Sequence, residues 1–164
     1  MGKIQGYELF TQFNLYGFEL TEKYTFEKIK EIILTQFKKD YENKIKKTLQ
    51  KAGLQYEGME YISPRYYNYS GDCIALDVSI QNKKTLINYI QENKKEIQEL
   101  LDKNRSYDGF LSNAEFNTED IIQKIKENDD ISFYVIYYIL SNLIENLIQD
   151  NYLINVLYEF DLIA

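Results

Sequence analysis

The sequence is informative first in what it lacks: it has no histidine and no tryptophan, one cysteine (Cys73) and one proline (Pro64). Without histidine the chain can form neither a Ser-His-Asp nor a Cys-His nucleophile system, and no zinc site that uses imidazole. A single cysteine excludes an internal disulfide and a four-cysteine zinc site. The sequence predicts that Cys73 is a small buried group, because its nearest charged neighbour is Asp72. We therefore expect a protein that is not an enzyme and uses no cofactor and no metal.

Long hydrophobic segments are also missing. The longest apolar run, residues 133–140, is less than half of the ~20 residues that a membrane-spanning helix needs. The first residues lack the charged and then apolar pattern of a secretory signal. We expect a cytoplasmic protein that has no membrane partner.

Positive charge is scarce in the last third of the chain. Residues 1–105 carry 17 basic and 15 acidic side chains, a balance of +2, whereas residues 106–164 carry 2 basic and 11 acidic side chains, a balance of −9. The two cations of this acidic segment are Lys124 and Lys126. Such a surface should repel nucleic acid and attract basic partners. The plainer interpretation is that the acidic residues keep a small domain dispersed in water.

The longest helix is predicted over residues 25–52, with Thr25 as N-cap and Gly53 as a left-handed C-cap. Its apolar stripe repeats at intervals of four, at Ile29, Ile33, Phe37, Tyr41, Ile45 and Leu49. At about 100° per residue this stripe rotates by about 200° along the helix. The two ends of the helix should therefore pack against different elements, or the helix should bend. Lysines beside the stripe are expected to cover apolar surface with their stems.

The remaining elements follow from hydrophobic periodicity. Alternation predicts strands over residues 54–62 and 73–81 and, less regularly, over residues 7–18. Helical spacing predicts helices over residues 84–103, 118–126 and 131–149, of which the last is apolar around most of its circumference, as a core helix would be. Residues 152–160 are assigned to a strand. Since no linker or repeat interrupts the chain, the sequence predicts one helix-rich α+β domain over residues 1–164, with a small antiparallel sheet.

The densest group of unusual residues lies between the second and third predicted strands. It includes the only proline together with Arg65, Tyr66, Tyr67, Asn68, Tyr69 and Asp72. Pro64 restricts the backbone, and Asn68 and Gly71 tolerate positive φ, so we expect a loop of defined shape. Its Tyr and Arg side chains could anchor a protein partner or stack on bases. The alternative is a loop that closes one end of the core, with Arg65 paired to Asp72.

The same loop carries a resemblance to a known group of proteins. The pattern Ser63-Pro64-Arg65-x-Tyr67-Asn68-Tyr69-x-x-Asp72, followed by Ser106-Tyr107-Asp108-Gly109-Phe110, resembles small uncharacterised proteins of bacteriophages and mobile elements. In that group a Thr-Asp pair and a basic residue follow the motif, whereas here Gly71 and Cys73 take the Thr and the basic positions. The resemblance implies a phage-like origin, and short acidic phage proteins often look like inhibitors of host restriction or CRISPR systems.

Residues 104–115 match part of the twelve-residue calcium loop of the EF-hand. Asn104, Ser106 and Asp108 fall at ligand positions one, three and five, Gly109 at the turn position six, and Glu115 at the bidentate position twelve. Position one is Asn rather than Asp, and the chain has no second such loop to pair with it. The segment is interpreted as an Asp-Gly turn, with a weak calcium site as the alternative.

These observations favour a protein that binds and inhibits a host defence protein or complex of the anti-CRISPR or anti-restriction type. The acidic last third would occupy a basic nucleic-acid groove of that target, and the Tyr-rich loop would supply anchors. The predicted partner-binding residues are Arg65, Tyr66, Tyr67, Asn68, Tyr69, Asp72, Asp108, Glu115, Glu119, Asp120, Asp129 and Asp130. No direct binding of nucleic acid is expected. The alternative is a nucleic-acid-binding module that uses the lysine-rich helix and the same loop.

Overall fold

The fold is described by a computed structural model for residues 3–63, 72–104, 117–127 and 133–164. Its strands are β1 (Lys3–Phe13), β2 (Leu54–Ile62) and β3 (Asp72–Ile80). Its helices are α1 (Phe26–Lys51), α2 (Lys83–Glu92), α3 (Lys94–Asn104), α4 (Thr118–Glu127), α5 (Phe133–Ile144) and α6 (Tyr152–Glu159). Short 3-10 turns cover Leu15–Gly17 and Glu145–Leu147. The predicted helix-rich α+β class with a small antiparallel sheet is confirmed.

The sheet has the strand order β1-β3-β2, and both pairs are antiparallel. One face of β3 points into the core through four buried side chains, those of Ile74, Leu76, Val78 and Ile80. Because side chains alternate along a strand, the opposite face carries Cys73, Ala75, Asp77 and Ser79. Gly58, at φ +135°, interrupts the register of β2 with β3. The bulge brings Tyr56 and Met59, three residues apart, onto the same core-facing side.

Helix α1 begins at the predicted N-cap, and its predicted apolar stripe is buried. The Thr25 hydroxyl accepts a hydrogen bond from Lys28 N (3.1 Å), and Gly53 follows the helix at φ +75°. All six positions of the apolar stripe are buried. The helix packs on β2, α5 and α6, so more than one element covers the rotating stripe. The ammonium of Lys30 lies 4.4 Å from the centre of the Phe26 ring, so here the charged end of a lysine makes a cation–π contact with an aromatic ring.

Helix α6 covers Tyr152–Glu159, so the assignment of residues 152–160 to a strand is wrong. Leu153, Val156 and Leu157 are buried, and their spacing places them on one side of a helix. The segment packs against α1, where the Tyr152 hydroxyl donates to Asp40 Oδ2 (2.6 Å). The helical period of the apolar residues therefore prevails over the β-propensity of the aromatic ones.

Three predicted boundaries also change. The helix over residues 84–103 is divided into α2 and α3 at Asn93, whose side-chain amide and backbone N–H both donate to the Tyr89 carbonyl. The first strand ends at Phe13, after which Asn14 Oδ1 accepts from Tyr16 N (3.1 Å) and starts a 3-10 turn. The helix over residues 131–149 ends at Ile144 and continues as a 3-10 turn. Apolar side chains of the sheet and of these helices join one core cluster.

Candidate protein-binding surface

Three of the twelve predicted partner-binding residues lie in the described parts of the chain: Asp72, Glu119 and Asp120. The others lie outside the described residues, and so does most of the calcium-loop match over residues 104–115. The nine predicted partner-binding residues outside the described ranges are Arg65, Tyr66, Tyr67, Asn68, Tyr69, Asp108, Glu115, Asp129 and Asp130. Their role in partner binding stays a prediction.

Asp72 lies at the start of β3 and is 1% exposed. Its Oδ2 accepts hydrogen bonds from Leu15 N (3.2 Å) and from the Tyr61 hydroxyl (2.9 Å). Its Oδ1 is buried and has no hydrogen-bond partner within the described residues. Burial together with the Asp72 carboxylate holds the pKa of Tyr61 well above its usual range. Asp72 thus has an internal role, in which it ties the turn after β1 to the edge strand β2.

Glu119 and Asp120 both act at the start of α4. Asp120 Oδ2 accepts from Asn117 N (3.1 Å), and Asn117 Oδ1 accepts from Asp120 N (3.0 Å), which is a reciprocal cap of the helix. Glu119 is exposed and pairs with Lys94 of α3. Glu119 therefore joins α4 to α3, whereas Asp120 caps the start of its own helix.

Cys73 is buried, as the sequence predicts. Burial raises the pKa of the Cys73 thiol to about 11, with further contributions from Glu8, Asp72 and Glu60. Glu8 of β1 and Glu60 of β2 lie opposite the same residue of β3, Ala75, and they flank the cysteine on the sheet face away from the core. A thiol in these surroundings stays protonated at neutral pH and is a poor nucleophile.

A groove of about 320 Å³ lies between the edge strand β1 and the segment that follows α5. It is lined by Tyr7, Glu8, Leu9 and Phe10 on one side and by Glu145, Ile148, Gln149, Asp150 and Asn151 on the other. The second side is held in place by a hydrogen bond from Gln149 N to the Tyr41 hydroxyl (3.0 Å). Its three charged side chains are all carboxylates.

A second groove of about 290 Å³ adjoins the first at Glu145 and runs between α3 and α5. Its other charged side chains are Glu96, Glu99 and Lys103. A hydrogen bond from the Asn142 amide to the Tyr89 hydroxyl (2.7 Å) holds α5 against α2 beside it. We call the two grooves together the acidic furrow; its carboxylates are those of Glu8, Glu96, Glu99, Glu145 and Asp150.

The five furrow carboxylates are all exposed, and Lys103 is the single cation among the residues that line the two grooves. A concave surface with charge of one sign concentrates its field and attracts partners of opposite charge. The local balance of −4 is therefore suited to a basic protein surface and opposes the approach of phosphate groups.

Sequence reasoning missed the furrow. Glu145 and Asp150 belong to the acidic last third but were not singled out, because nothing in their local pattern distinguishes them from other surface charges. Glu8, Glu96 and Glu99 come from the near-neutral first two-thirds of the chain. No signal along the sequence could have joined these two sets, since only the packing of α3, α5 and β1 brings them together.

Similarity to known proteins assigns no function to this surface. In the described ranges, no helix has the length and apolar character required to cross a membrane, and no group of three or more potential metal ligands occurs. No family model, no curated protein and no solved structure matches the chain.

Proposed function

We propose that this protein binds a basic surface of a nucleic-acid-handling protein and inhibits it, as a phage or mobile-element inhibitor of a host restriction or CRISPR system would. The observation that carries the proposal is the acidic furrow, whose lining residues include five exposed carboxylates and one ammonium group. The motif in residues 63–72 and the charge of −9 over residues 106–164 support the same function.

The proposed mechanism is electrostatic and steric. A protein that binds DNA or RNA presents a groove of Lys and Arg side chains to the phosphates. Carboxylates along the furrow would pair with those cations and keep the nucleic acid out. Complementary charge also speeds the encounter of the two proteins, so association should slow as salt is added.

The proposal is tested by DNA cleavage with a panel of purified CRISPR effector complexes and restriction endonucleases, with and without the protein. The variant that carries Glu145→Lys and Asp150→Lys should inhibit its target at least tenfold less well than the wild type, because two favourable contacts become repulsive. The matched control carries Glu31→Lys and Glu92→Lys, which make the same charge change on exposed positions of α1 and α2.

Two results would count against the proposal. One is a furrow variant that inhibits the target as well as the wild type does, or a control variant that loses inhibition to the same extent as the furrow variant. The other is a direct gel shift of single-stranded or duplex DNA by the wild type, which mimicry does not predict. Such a shift would favour the alternative of a nucleic-acid-binding module that uses the lysines of α1.

A further inference from the structure

The first groove of the acidic furrow follows the backbone edge of β1. It is lined by consecutive residues of this strand, from Tyr7 to Phe10. Because side chains alternate between the two faces of a sheet, a groove over one face would be lined by every second residue. Consecutive lining residues therefore indicate a groove beside the strand, in the direction in which strands form hydrogen bonds.

β1 is an edge strand. In the described sheet it pairs with β3 on one side, in the order β1-β3-β2. No residue of β3 lines the groove, so the groove lies on the side of β1 away from β3. An edge strand presents backbone N–H and C=O groups on that side, and an extended peptide can pair with them as one more strand.

The opposite wall of the groove is also a run of consecutive residues, 148–151. Ile148 has an extended backbone (φ −96°, ψ 129°). The next residue, Gln149, is anchored by the hydrogen bond from its backbone N–H to the hydroxyl of the buried Tyr41. The groove therefore lies between two backbone segments of defined position, as a site for an extended chain requires.

The regular part of this edge is short. β1 changes register with β3 on both sides of Tyr7–Leu9. The next residue, Phe10, has a φ of +64°, and its ring packs edge-on against Phe37 of α1 with 5.5 Å between the ring centres. At ~3.4 Å per residue the regular edge is about 10 Å long, so it pairs with about three residues of an added chain. Such a short edge does not favour open-ended pairing between copies of this protein.

The charges at the groove select the kind of chain that fits. Glu8, Glu145 and Asp150 are exposed, and no cation occurs among the described residues that line this groove. None of the three carboxylates forms an ion pair with another described residue. A segment that carries Lys or Arg therefore meets only opposite charge here, whereas the phosphates of nucleic acid are repelled.

We propose that this groove binds an extended basic segment of the partner protein, which adds to β1 as a fourth strand. Backbone hydrogen bonds to β1 hold the segment, and its basic side chains pair with Glu8, Glu145 and Asp150. A second copy of this chain is disfavoured because pairing of two β1 strands would bring two Glu8 carboxylates together. The inference rests on the proposed function, since it specifies how the basic partner enters the acidic furrow.

The test is a nuclear magnetic resonance titration with a short peptide that alternates lysine and valine and is blocked at both ends. At least one backbone N–H within Tyr7–Leu9 should exchange with solvent more slowly when the peptide is bound. A peptide of the same sequence with N-methyl groups on two adjacent central residues has lost N–H donors on both of its edges. It should bind roughly three- to tenfold more weakly, as expected when one or two hydrogen bonds are lost.

Matched controls separate backbone pairing from attraction by charge. N-methyl groups on the two end residues of the peptide leave its central donors intact and should leave its affinity unchanged. The furrow variant with Glu145→Lys and Asp150→Lys should bind the unmodified peptide roughly tenfold more weakly, whereas Glu31→Lys with Glu92→Lys should bind it as the wild type does.

Failure of this inference and failure of the proposed function give different results. If the furrow carboxylates are needed to inhibit DNA cleavage but central N-methylation leaves the peptide affinity unchanged, the partner binds by charge alone and the added strand is refuted. If the peptide slows exchange in β1 but no nuclease is inhibited, the strand site stands and the proposed function is refuted. No binding at about 1 mM peptide, slower exchange in β2 instead of β1, or a dimer of this chain that the peptide dissociates would also overturn the inference.

Discussion

The attachment of α6 to α1 gives the sharpest quantitative prediction. The Tyr152 ring lies against Phe37 and Tyr41 of α1, at 5.7 and 5.1 Å between ring centres and near-perpendicular angles of 70° and 78°. Its hydroxyl donates to Asp40 Oδ2 at 2.6 Å. The ring contacts and the hydrogen bond can be removed separately, by Tyr152→Ala and Tyr152→Phe. The two substitutions should therefore have different costs.

The magnitudes follow from burial. Tyr152 is 7% exposed, so Tyr152→Ala opens a cavity among aromatic rings and should lower the free energy of unfolding by about 3–5 kcal/mol. Tyr152→Phe removes only the hydrogen bond. Asp40 is exposed and also accepts from Gln36 Nε2 (3.0 Å), so its carboxylate regains water when the hydroxyl is lost. We expect a loss of about 1 kcal/mol, which is below the ~1.5–3 kcal/mol of a typical bond to a charged group because the Asp40 carboxylate is exposed to water.

A double-mutant cycle measures the bond itself. Tyr152→Phe, Asp40→Ala and the double variant should be unfolded in urea and followed by circular dichroism, with a coupling energy of about 1 kcal/mol expected between the two positions. Each kcal/mol should shift the melting temperature by about 2–4 °C in a chain of this size. A coupling energy near zero, or equal costs for Tyr152→Phe and Tyr152→Ala, would refute the reasoning.

Two more predictions concern the turn after α1 and the buried tyrosines. In Gly53→Ala, the new Cβ would collide with the Asn82 carbonyl oxygen and lie 2.8 Å from Leu86 N, and the backbone at this position has a φ of +75°, which favours glycine. The melting temperature should therefore fall by several degrees. An unchanged melting curve would contradict this prediction. Burial, with added hydrogen bonds to carboxylates, raises the pKa of Tyr56, Tyr61 and Tyr152 above the ordinary value of about 10. Their contribution to stability is complete below pH ~10 and is lost as the pH rises above it, because the unfolded chain then releases protons that the folded chain retains. In an alkaline titration followed by tyrosinate absorbance, some of the tyrosines should therefore ionise only when the protein unfolds. Above pH ~10 the free energy of unfolding should fall less steeply with pH in Tyr56→Phe than in the wild type.

Local sequence was sufficient to predict a helix or strand wherever the residues of that element contain a clear cap or a regular hydrophobic spacing. The Thr25 cap, the stripe from Ile29 to Leu49 and the glycine at position 53 predict α1 almost to the residue. Alternation predicts β2 and β3 equally well. It did not distinguish a helix from a strand over Tyr152–Glu159, where aromatic residues favour a strand and the spacing of buried residues favours a helix. There, packing against α1 decided.

The sequence by itself determined the α+β class and the surplus of acidic residues, and the lack of histidine excluded the common nucleophile triads. Only the tertiary structure decided which charged side chains of distant segments meet. Glu8 and Glu145 are 137 positions apart in the chain and line one groove. The bridge between Leu20 and Ile163 joins in the same way two segments that are 143 positions apart. The physical reason is that folding is driven by the burial of apolar residues, and these recur at the short intervals typical of a helix or a strand. The residues left on the surface follow no such interval, so their arrangement cannot be predicted from the sequence.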